Sequence, residues 1–479
     1  MSNSSRPYVD VMALHKEVTG SRIVNTITFP NGTKKKVLVD FGIYQEAEYS
    51  ELNKSLPFDP STIDYVLITH THADHIGCLP YLVKNGYRGD IHMSESATKL
   101  IPYALQDNCN VEKNNSEMLN QPPLYTEADV DETLKHVKGH PFEKSFWLDE
   151  DKNIKVTFFM NGHLSGAVII LMQIKYHDYS NKHYDDINLI FTGDYNNKNM
   201  FFDVKPLPKW VHQLPVSIIQ ESTYGDMNST DIEYVFEKNI LDAVSSKKKI
   251  LIPVFSLGRS QEVMLLLKKW QDEGKLDKSI PIYLDGKLAI KYTELYLRDG
   301  LDNREECRKF LPENFSYISS KAERNSIIES NECSILLATS GMGSNGPCRT
   351  LIPQYLKNPN AVIHFMGYCA EGTMGRRLHD CQNGETVDCC GLKVKKLATV
   401  FFTSEVSAHA KADELIGFLL PFVCMKLVLI NHGTNKKKDV YSGRVVNETQ
   451  AKDVGILGKE YLFRIDAYGL RKTLTTKFQ

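Results

Sequence analysis

Hydrophobic and polar positions form short runs over about the first 200 residues, and this pattern predicts strands separated by turns. Helical spacing interrupts the runs near 94–105 and 126–138. The predicted strands are 22–29, 35–42, 63–70, 155–163, 168–176 and 188–195. We therefore expect sheets covered by helices, with functional residues at the strand ends.

The pattern changes near residue 217, where apolar strands are each followed by a small-residue turn and a helix, as in KKILIPVFS before LGRSQEVMLLLKKW. This order is typical of βαβ units and a parallel sheet. Strand character returns near residue 395, and no low-complexity linker separates the blocks. We therefore predict an α/β protein in which a parallel-sheet domain, 217–394, is inserted into a first domain made of 1–216 and 395–479.

Composition and charge exclude few functions. The formal net charge of the 479 residues is -2, so a bound polyanion must be met by a local basic groove or by metal ions. We predict that most residues of the lysine runs at 34–36, 247–249 and 436–438 are solvated turn residues, since each run lies beside a strand end and no aromatic residues are interleaved. The ten cysteines form no CxxC pairs, which argues against a zinc ribbon or a secreted disulfide framework. With no membrane-length apolar run and no signal-peptide pattern, we expect a cytoplasmic protein without a membrane partner.

The strongest chemical signal is the sequence His70-Thr71-His72-Ala73-Asp74-His75, at the end of a predicted buried strand. With 15 histidines in the chain, this order should arise by chance in roughly one such chain per thousand. Imidazole and carboxylate groups at a turn can diverge toward two cations, and they suit zinc, with manganese or iron as alternatives. Six residues cannot complete two coordination shells, so we expect further ligands elsewhere.

Other strand-end residues supply these further candidates, namely His163, Asp194 and His432. Any one of them alone is more often a structural histidine or a turn aspartate, but repetition of the same placement favours ligation. Asp40 is interpreted differently, as a group that orients a ligand through the second ring nitrogen of a histidine. A simple turn cap before Gly42 is an equally good interpretation of Asp40.

In this order along the chain, the motif at 70–75 and the strand-end residues resemble the metallo-β-lactamase superfamily. The resemblance implies an αββα sandwich with two metal ions. It also implies a division of ligands: His70, His72 and His163 on one metal ion, Asp74, His75 and His432 on the other, and Asp194 between them.

Three further motifs resemble the β-CASP branch of that superfamily, whose members process RNA or DNA: Glu221-Ser-Thr-Tyr-Gly, PVFSLGRSQE and Ser407-Ala-His409. Similar features occur in the endonuclease subunit of the pre-mRNA cleavage and polyadenylation machinery. The resemblance implies that catalytic residues flank the metal ions. His409 is the candidate acid for the leaving oxygen, with Glu221 as its orienting carboxylate, and Asp74 is a catalytic candidate as well as a ligand. The alternative for His409 is a helix-capping or core histidine.

Two glycine-rich turns follow predicted parallel strands and open helices, where backbone N–H groups and the helix dipole favour anions. The substrate-binding candidates are Ser256, Ser340 and Gly341 in these turns, with Arg259 and Arg376 on the helices that follow Gly-rich turns. We expect them to line a groove for single-stranded RNA. Tight packing of a βαβ unit is the alternative for the turns themselves.

Two positions depart from the family pattern: Lys411 and Thr434 stand where relatives often have acidic residues. The departures bear on the surroundings of the ligands, since every expected ligand is present. An inactive scaffold is the non-enzyme alternative, but such relatives typically lose ligands.

The predicted function is a two-zinc endoribonuclease for RNA processing or decay, with 5′–3′ exonuclease activity as an addition. The alternatives are a DNA nuclease of the same branch, which usually carries valine at the position of His432, and a small-molecule metallo-hydrolase, which has no need of the inserted domain. A homodimer or an RNA-processing complex is the expected assembly.

Overall fold

The computed structural model describes residues 6–475 except 16, 176, 179–182, 185, 368, 459 and 460. Contacts divide the chain into two compact units. The first comprises Met1–Asn199, Asp203–Ser229 and His409–Gln479, and the second comprises Met200–Phe202 and Thr230–Ala408. Among the described residues, no helix combines the length and apolar character needed to span a bilayer.

Each of the six strands predicted from the hydrophobic pattern has a counterpart at the same place in the structure, and each counterpart is shorter. Residue 176, in the predicted strand 168–176, lies outside the described residues. In chain order the strands are β1 Tyr8–Ala13, β2 Ile23–Thr28, β3 Lys34–Val39, β4 Tyr65–Leu67, β5 Ile91–Ser94, β6 Val137–His140, β7 Ser145–Trp147, β8 Ile154–Met160, β9 Val168–Ile174, β10 His177–Asp178, β11 His183–Tyr184, β12 Ile187–Phe191, β13 Val216–Gln220, β14 Lys249–Pro253, β15 Ile282–Asp285, β16 Phe315–Tyr317, β17 Ser334–Ala338, β18 Ala361–Met366, β19 Thr386–Cys389, β20 Leu392–Lys395, β21 Thr399–Thr403, β22 Met425–Ile430, β23 Val454–Ile456, β24 Tyr461–Asp466 and β25 Gly469–Thr475.

The helices include both that the pattern predicted in the first 200 residues. Short 3₁₀ segments lie at Ala47–Lys54, Pro60–Thr62, Ser229–Asp231 and Glu305–Arg308. In chain order the α-helices are α1 Ala73–Ile76, α2 Leu79–Lys84, α3 Glu95–Leu119, α4 Glu127–Lys135, α5 Lys209–His212, α6 Phe236–Ser245, α7 Arg259–Asp272, α8 Lys287–Asp299, α9 Lys321–Glu329, α10 Cys348–Leu356, α11 Met374–Asp380, α12 Ala412–Leu419 and α13 Asn435–Glu448.

The first unit contains two large sheets packed face to face, besides the two-stranded pair β10-β11. One has the strand order β25-β24-β1-β2-β3-β4-β5-β6 and the other β23-β22-β13-β12-β9-β8-β7. Side chains of both sheets form one core, for example Val11 and Leu67 against Phe158 and Ile170. Helices α12 and α13 cover the other face of the second sheet, and α3 packs against β5 and β6 of the first. The expected αββα sandwich is thus confirmed.

Strand direction in the second sheet positions the functional residues. Strands β12, β13 and β22 pair in parallel, and β8 runs in the same direction because both β8 and β12 are antiparallel to β9. The carboxyl ends of these strands therefore meet at one edge of the sheet. Strands β9 and β12 are buried at every position, which explains their continuous apolar sequences.

The second unit is built on a parallel sheet with the order β16-β15-β17-β14-β18-β21. Its central strands β14, β17 and β18 are wholly buried, as expected for a sheet covered on both faces. Its bounds differ from the predicted domain at 217–394. Strand β13 pairs with β12 and β22 in the first unit, whereas β21 pairs with β18 in the second, so both boundaries lie about a dozen residues later in the chain.

Two of the lysine runs each contain a buried lysine, which the prediction of mostly solvated residues did not identify. Lys249 is buried in β14, and its ammonium donates hydrogen bonds of 2.6–2.7 Å to the carbonyls of Ile327, Ile328 and Ser330. These carbonyls lie at the end of α9, so Lys249 caps that helix. Lys438 is buried as well. The prediction missed these two lysines because proximity to a strand end does not reveal which groups of a distant segment lie beside a side chain.

Candidate metal centre

The predicted metal ligands lie together at one edge of the second sheet in the first unit. His163, Asp194 and His432 each stand two or three residues beyond the end of β8, β12 and β22. His70 stands at the same distance beyond β4 of the facing sheet. Glu221 follows β13 directly. Because these strands end at the same edge, residues far apart in the chain lie in a single cluster.

The turn that carries the 70–75 motif is held by backbone contacts to the segment after β3. Phe41 N donates to His75 O at 2.7 Å, and Ile43 N donates to Ala73 O at 3.0 Å. Between them, a Cβ on Gly42 would lie 1.6 Å from Asp74 O, so a side chain cannot fit without moving the turn. Glycine at position 42 therefore follows from the close approach of two backbones.

Among the described residues, three sets of side chains bring their ligand atoms within 4.8 Å of one another, and all three contain Asp194. One set joins Asp194 to Glu221 and His409, and we call the other two the first and second metal groups. The first comprises His70, His72, His163 and Asp194, and the second comprises Asp74, His75, Asp194 and His432.

Asp194 faces each group with a different oxygen. Its Oδ2 lies 3.6 Å from His70 Nε2 and 3.7 Å from His163 Nε2. Its Oδ1 lies 3.3 Å from His75 Nε2 and 3.2 Å from His432 Nε2. One carboxylate is therefore shared between two sets of imidazoles, as a bridging ligand would be.

The outer ring nitrogens of the second group have fixed partners. His75 Nδ1 donates to Asp40 Oδ2 at 2.7 Å, and the other oxygen of Asp40 accepts from Thr69 N at 2.8 Å. His432 Nδ1 lies 3.0 Å from Thr223 Oγ1. Such contacts fix the ring orientation and leave Nε2 directed toward the centre.

Thr69, Thr223 and Asn161 were not singled out from the sequence. Asn161 accepts a hydrogen bond from His163 N at 3.0 Å and donates one to Asp194 O at 2.6 Å. All three stand within two residues of a predicted site residue and have side chains that can form hydrogen bonds. That proximity was the available signal, but choosing the partner of each group requires the fold.

Protonation states in the cluster suit cation binding. Burial lowers the pKa of His70 well below its usual value and that of His72 to about 4, so both rings are neutral donors at pH 7. Burial opposes ionisation of Asp194, but His432, His75 and His70 nevertheless hold its pKa well below the ordinary value. Against the effect of burial, Asp194 and Asp40 raise the pKa of His75, so a cation there competes with a proton.

The donor set fits two divalent cations. Nε2 of His70, His72, His75 and His432 and Oδ1 of Asp194 are buried, and among the described residues none of these atoms has a partner in hydrogen-bonding geometry. Buried polar atoms without partners are costly, and five in one small volume need a common explanation. Imidazole and carboxylate donors of this kind bind zinc and related transition metals.

Glu221 and His409 form a pair beside the first metal group. His409 Nδ1 lies 3.0 and 2.9 Å from the two oxygens of Glu221, and its Nε2 lies 3.9 Å from Asp194 Oδ2. The carboxylate of Glu221 also accepts hydrogen bonds from Tyr195 N and Thr223 N. The side chain of His409 is 18% exposed, whereas that of Asp194 is 4% exposed, so His409 is the more accessible of the two to solvent.

The two residues that depart from the family pattern both lie at helix starts. Thr434 is the residue before α13, and Lys411 is the residue before α12. The Lys411 ammonium lies 3.5 Å from the centre of the Tyr224 ring, which provides a cation–π contact. Burial lowers the pKa of Lys411 to about 8, with Glu414 and Glu221 opposing that shift.

The predicted RNA-contacting residues belong to the second unit. The Arg259 side chain is 8% exposed, and its guanidinium contacts the carboxylate of Glu262 and the carbonyl of Val406. Arg376 is more exposed and pairs with Asp380 at 2.9 Å. Both partners contact Nη1 of this buried side chain, and a phosphate contact by Arg259 stays a prediction.

The turn residues predicted to contact RNA are engaged in their own loops. Ser256 O accepts hydrogen bonds from Ser260 Oγ and Gln261 Nε2. Ser340 N donates to Asn345 O at 3.2 Å. At Gly341 a Cβ would lie 2.7 Å from the Phe255 ring, so close packing alone accounts for this glycine.

Comparison with protein families identifies both units. The family model for the metallo-beta-lactamase superfamily matches residues 22–141, and the model for the Beta-Casp domain matches residues 260–378. These matches lie in the first and second units, respectively.

The chain is also similar to several curated proteins. It is 31% identical over 369 residues to a transcription termination factor, FttA, of Pyrococcus horikoshii, covering 71% of this chain and 53% of that protein. It is 28% identical over 419 residues to a ribonuclease of Thermus thermophilus, with 84% and 88% covered. It is 29% identical over 370 residues to the endoribonuclease ysh1 of Emericella nidulans, with 72% and 40% covered. The chain thus spans about half the length of the termination factor it matches.

Proposed function

The chain belongs to the metallo-β-lactamase superfamily and carries its Beta-Casp domain, and from this membership we propose that it is a metal-dependent ribonuclease. The observation that carries the proposal is the shared carboxylate of Asp194 between two ligand groups, with the Glu221–His409 pair beside it. Such an arrangement provides for both the electrophilic and the proton-transfer parts of phosphodiester hydrolysis.

Zinc is the proposed metal, with manganese and iron as alternatives that the same donors accept. The first metal group would hold one ion and the second group the other, with Asp194 as a ligand of both. Bound ions would supply Lewis-acid polarisation of the phosphate and activation of the attacking water. The chain itself supplies rigidity, because Asp40 and Thr223 hold two of the ligand rings in place.

His409 is the proposed general acid. With Nδ1 directed at the Glu221 carboxylate, the ring is held in one orientation, and its Nε2 proton is delivered on the side of Asp194. The departing ribose oxygen needs a proton at this point, and a positioned histidine contributes about a hundredfold or more. Glu221 acts as the orienting carboxylate, since its own oxygens are occupied by backbone N–H groups and the ring.

Single-stranded RNA is the proposed substrate. Two of the similar proteins carry the names ribonuclease and endoribonuclease, which supports RNA over DNA or a small ester. The predicted contacts in the second unit, Ser256, Ser340, Gly341, Arg259 and Arg376, are part of the proposal. So is assembly into a homodimer or an RNA-processing complex, and light scattering of the purified protein separates a dimer from a monomer.

Incubation of the purified protein with end-labelled RNA and DNA of the same sequence, with and without chelator, tests this function. We expect metal-dependent cleavage of RNA at internal positions, visible as fragments from both labelled ends. A ladder of single nucleotides from the 5′ end would instead indicate exonucleolytic action. Preference for DNA, or cleavage confined to a nitrophenyl phosphodiester, would overturn the proposed substrate.

A further inference from the structure

The loop between β1 and β2 contacts two of the three segments that supply ligands to the second metal group, those carrying Asp74 and His432. Ser21 N donates to Asp74 O at 2.8 Å. His15, in the same loop, lies 2.7 Å through Nε2 from Asn431 Oδ1, and Asn431 directly precedes His432. His15 is 2% exposed and belongs to none of the ligand groups.

The hydrogen bonds of His15 define its tautomer. Arg22 N is a backbone donor and lies 3.1 Å from His15 Nδ1, so Nδ1 accepts. The ring proton of the neutral form therefore lies on Nε2 and is donated to Asn431. Burial, with His432 and Lys438 nearby, lowers the pKa of His15 to about 3, which keeps the ring neutral near pH 7.

Asn431 is held on its backbone as well. Its N–H donates to Gln220 O at 2.7 Å, and its carbonyl accepts from Ser222 Oγ at 2.9 Å. The next residue, His432, has a φ of 46°, in the left-handed region that residues other than glycine rarely adopt. Such a conformation persists where the surrounding contacts over-determine it.

We propose that His15 is a positioning residue for the second metal group, acting through Asn431 to fix the backbone that presents His432. The inference rests on the proposed two-ion centre. Arg22 links the same contact to the other ligand segment, because its guanidinium donates to Gly42 O at 2.8 and 3.0 Å and Gly42 packs against Asp74. The loop thereby holds two ligand segments of one metal group in register.

The test is metal binding, measured apart from activity. Metal-free wild type, His15→Ala and His15→Gln are titrated with zinc against a competing chelator, and with cobalt followed by its absorption spectrum. We expect His15→Ala to bind the first ion with unchanged affinity and the second about tenfold more weakly, as for other groups that support a ligand indirectly. His15→Gln should restore much of the affinity, since its amide can accept from Arg22 N and donate to Asn431.

His92→Ala is the matched control, because His92 is also a buried histidine of the first unit and bonds His140 at 2.9 Å. It should lower stability in urea without changing either metal affinity. Should His15→Ala not fold, the comparison passes to His15→Gln and His15→Asn, whose shorter amide cannot span both partners and should lose the second ion.

The positioning role would be overturned if His15→Ala or His15→Asn bound the second ion as tightly as wild type does. It would also be overturned if the substitution weakened the binding of both ions equally, because the effect would then be general. A wild type that binds fewer than two ions would refute the proposed centre itself, and the wild-type titration separates that failure from failure of the His15 inference.

Discussion

Replacement of Arg259 by alanine distinguishes a structural role from an RNA contact. Glu262, its partner, is buried, and burial raises the pKa of Glu262 to about 7 even though Arg259 opposes the shift. The rise from 4.5 to about 7 corresponds to about 3 kcal/mol for ionising Glu262 in the folded state. Without Arg259 that cost increases, and the carbonyl of Val406 also loses its donor.

We expect Arg259→Ala to lower the free energy of unfolding by about 3 kcal/mol at pH 8, the order found when one partner of a buried pair is removed. Because the folded pKa of Glu262 lies above its unfolded value, its contribution to stability is full below pH 4.5 and is lost as pH rises through about 7. The effect of the substitution should therefore be smaller near pH 5, where Glu262 is protonated with or without Arg259.

Urea unfolding at pH 5 and pH 8 is the assay, and Arg259→Met with Glu262→Leu is the matched control. Removing both charges together should recover most of the stability, since no buried charge is left alone. RNA binding at two salt concentrations is measured on the same proteins. Two results together would refute this reasoning and show a phosphate contact. Arg259→Ala would be as stable as wild type at pH 8, and the slope of log RNA affinity against log salt concentration would fall in magnitude by about 0.7.

Three further substitutions test the metal centre and the acid pair. His409→Ala should reduce single-turnover RNA cleavage about a hundredfold or more while both metal ions stay bound, and an unchanged rate would make His409 structural. Asp194→Ala should weaken the binding of both metal ions, which elemental analysis after dialysis would show as loss of both. Retention of one ion at full affinity would contradict a bridging carboxylate. Gly42→Ala should lower metal affinity and thermal stability, because its Cβ would lie 1.6 Å from Asp74 O; normal values for both would show that the two backbones can separate.

The sequence was most informative where chemistry and local structure coincide. The motif at 70–75 joins scarce residue types to a strand end, and His163, Asp194 and His432 repeat that placement. Parallel strand direction then brings them together, which explains how a local pattern could indicate a site built from distant segments.

Long-range pairing was the part that the sequence could not reveal. Lys249 looks like part of a solvated basic run until the carbonyls at the end of α9 are seen around its ammonium. Arg259 looks like a free cation at a helix start until Glu262 and Val406 are placed beside it. The domain boundaries were displaced for the same reason, since the partners of β13 and β21 cannot be read from either strand alone.

Cleavage of end-labelled RNA by the metal-stripped protein, measured against added equivalents of zinc per chain, tests the central claim most directly. The two ligand groups that share Asp194 lead us to expect little activity until the second equivalent binds and a plateau at about two equivalents. Cleavage by the stripped protein in excess chelator, or a plateau at one equivalent, would contradict a centre in which both groups act.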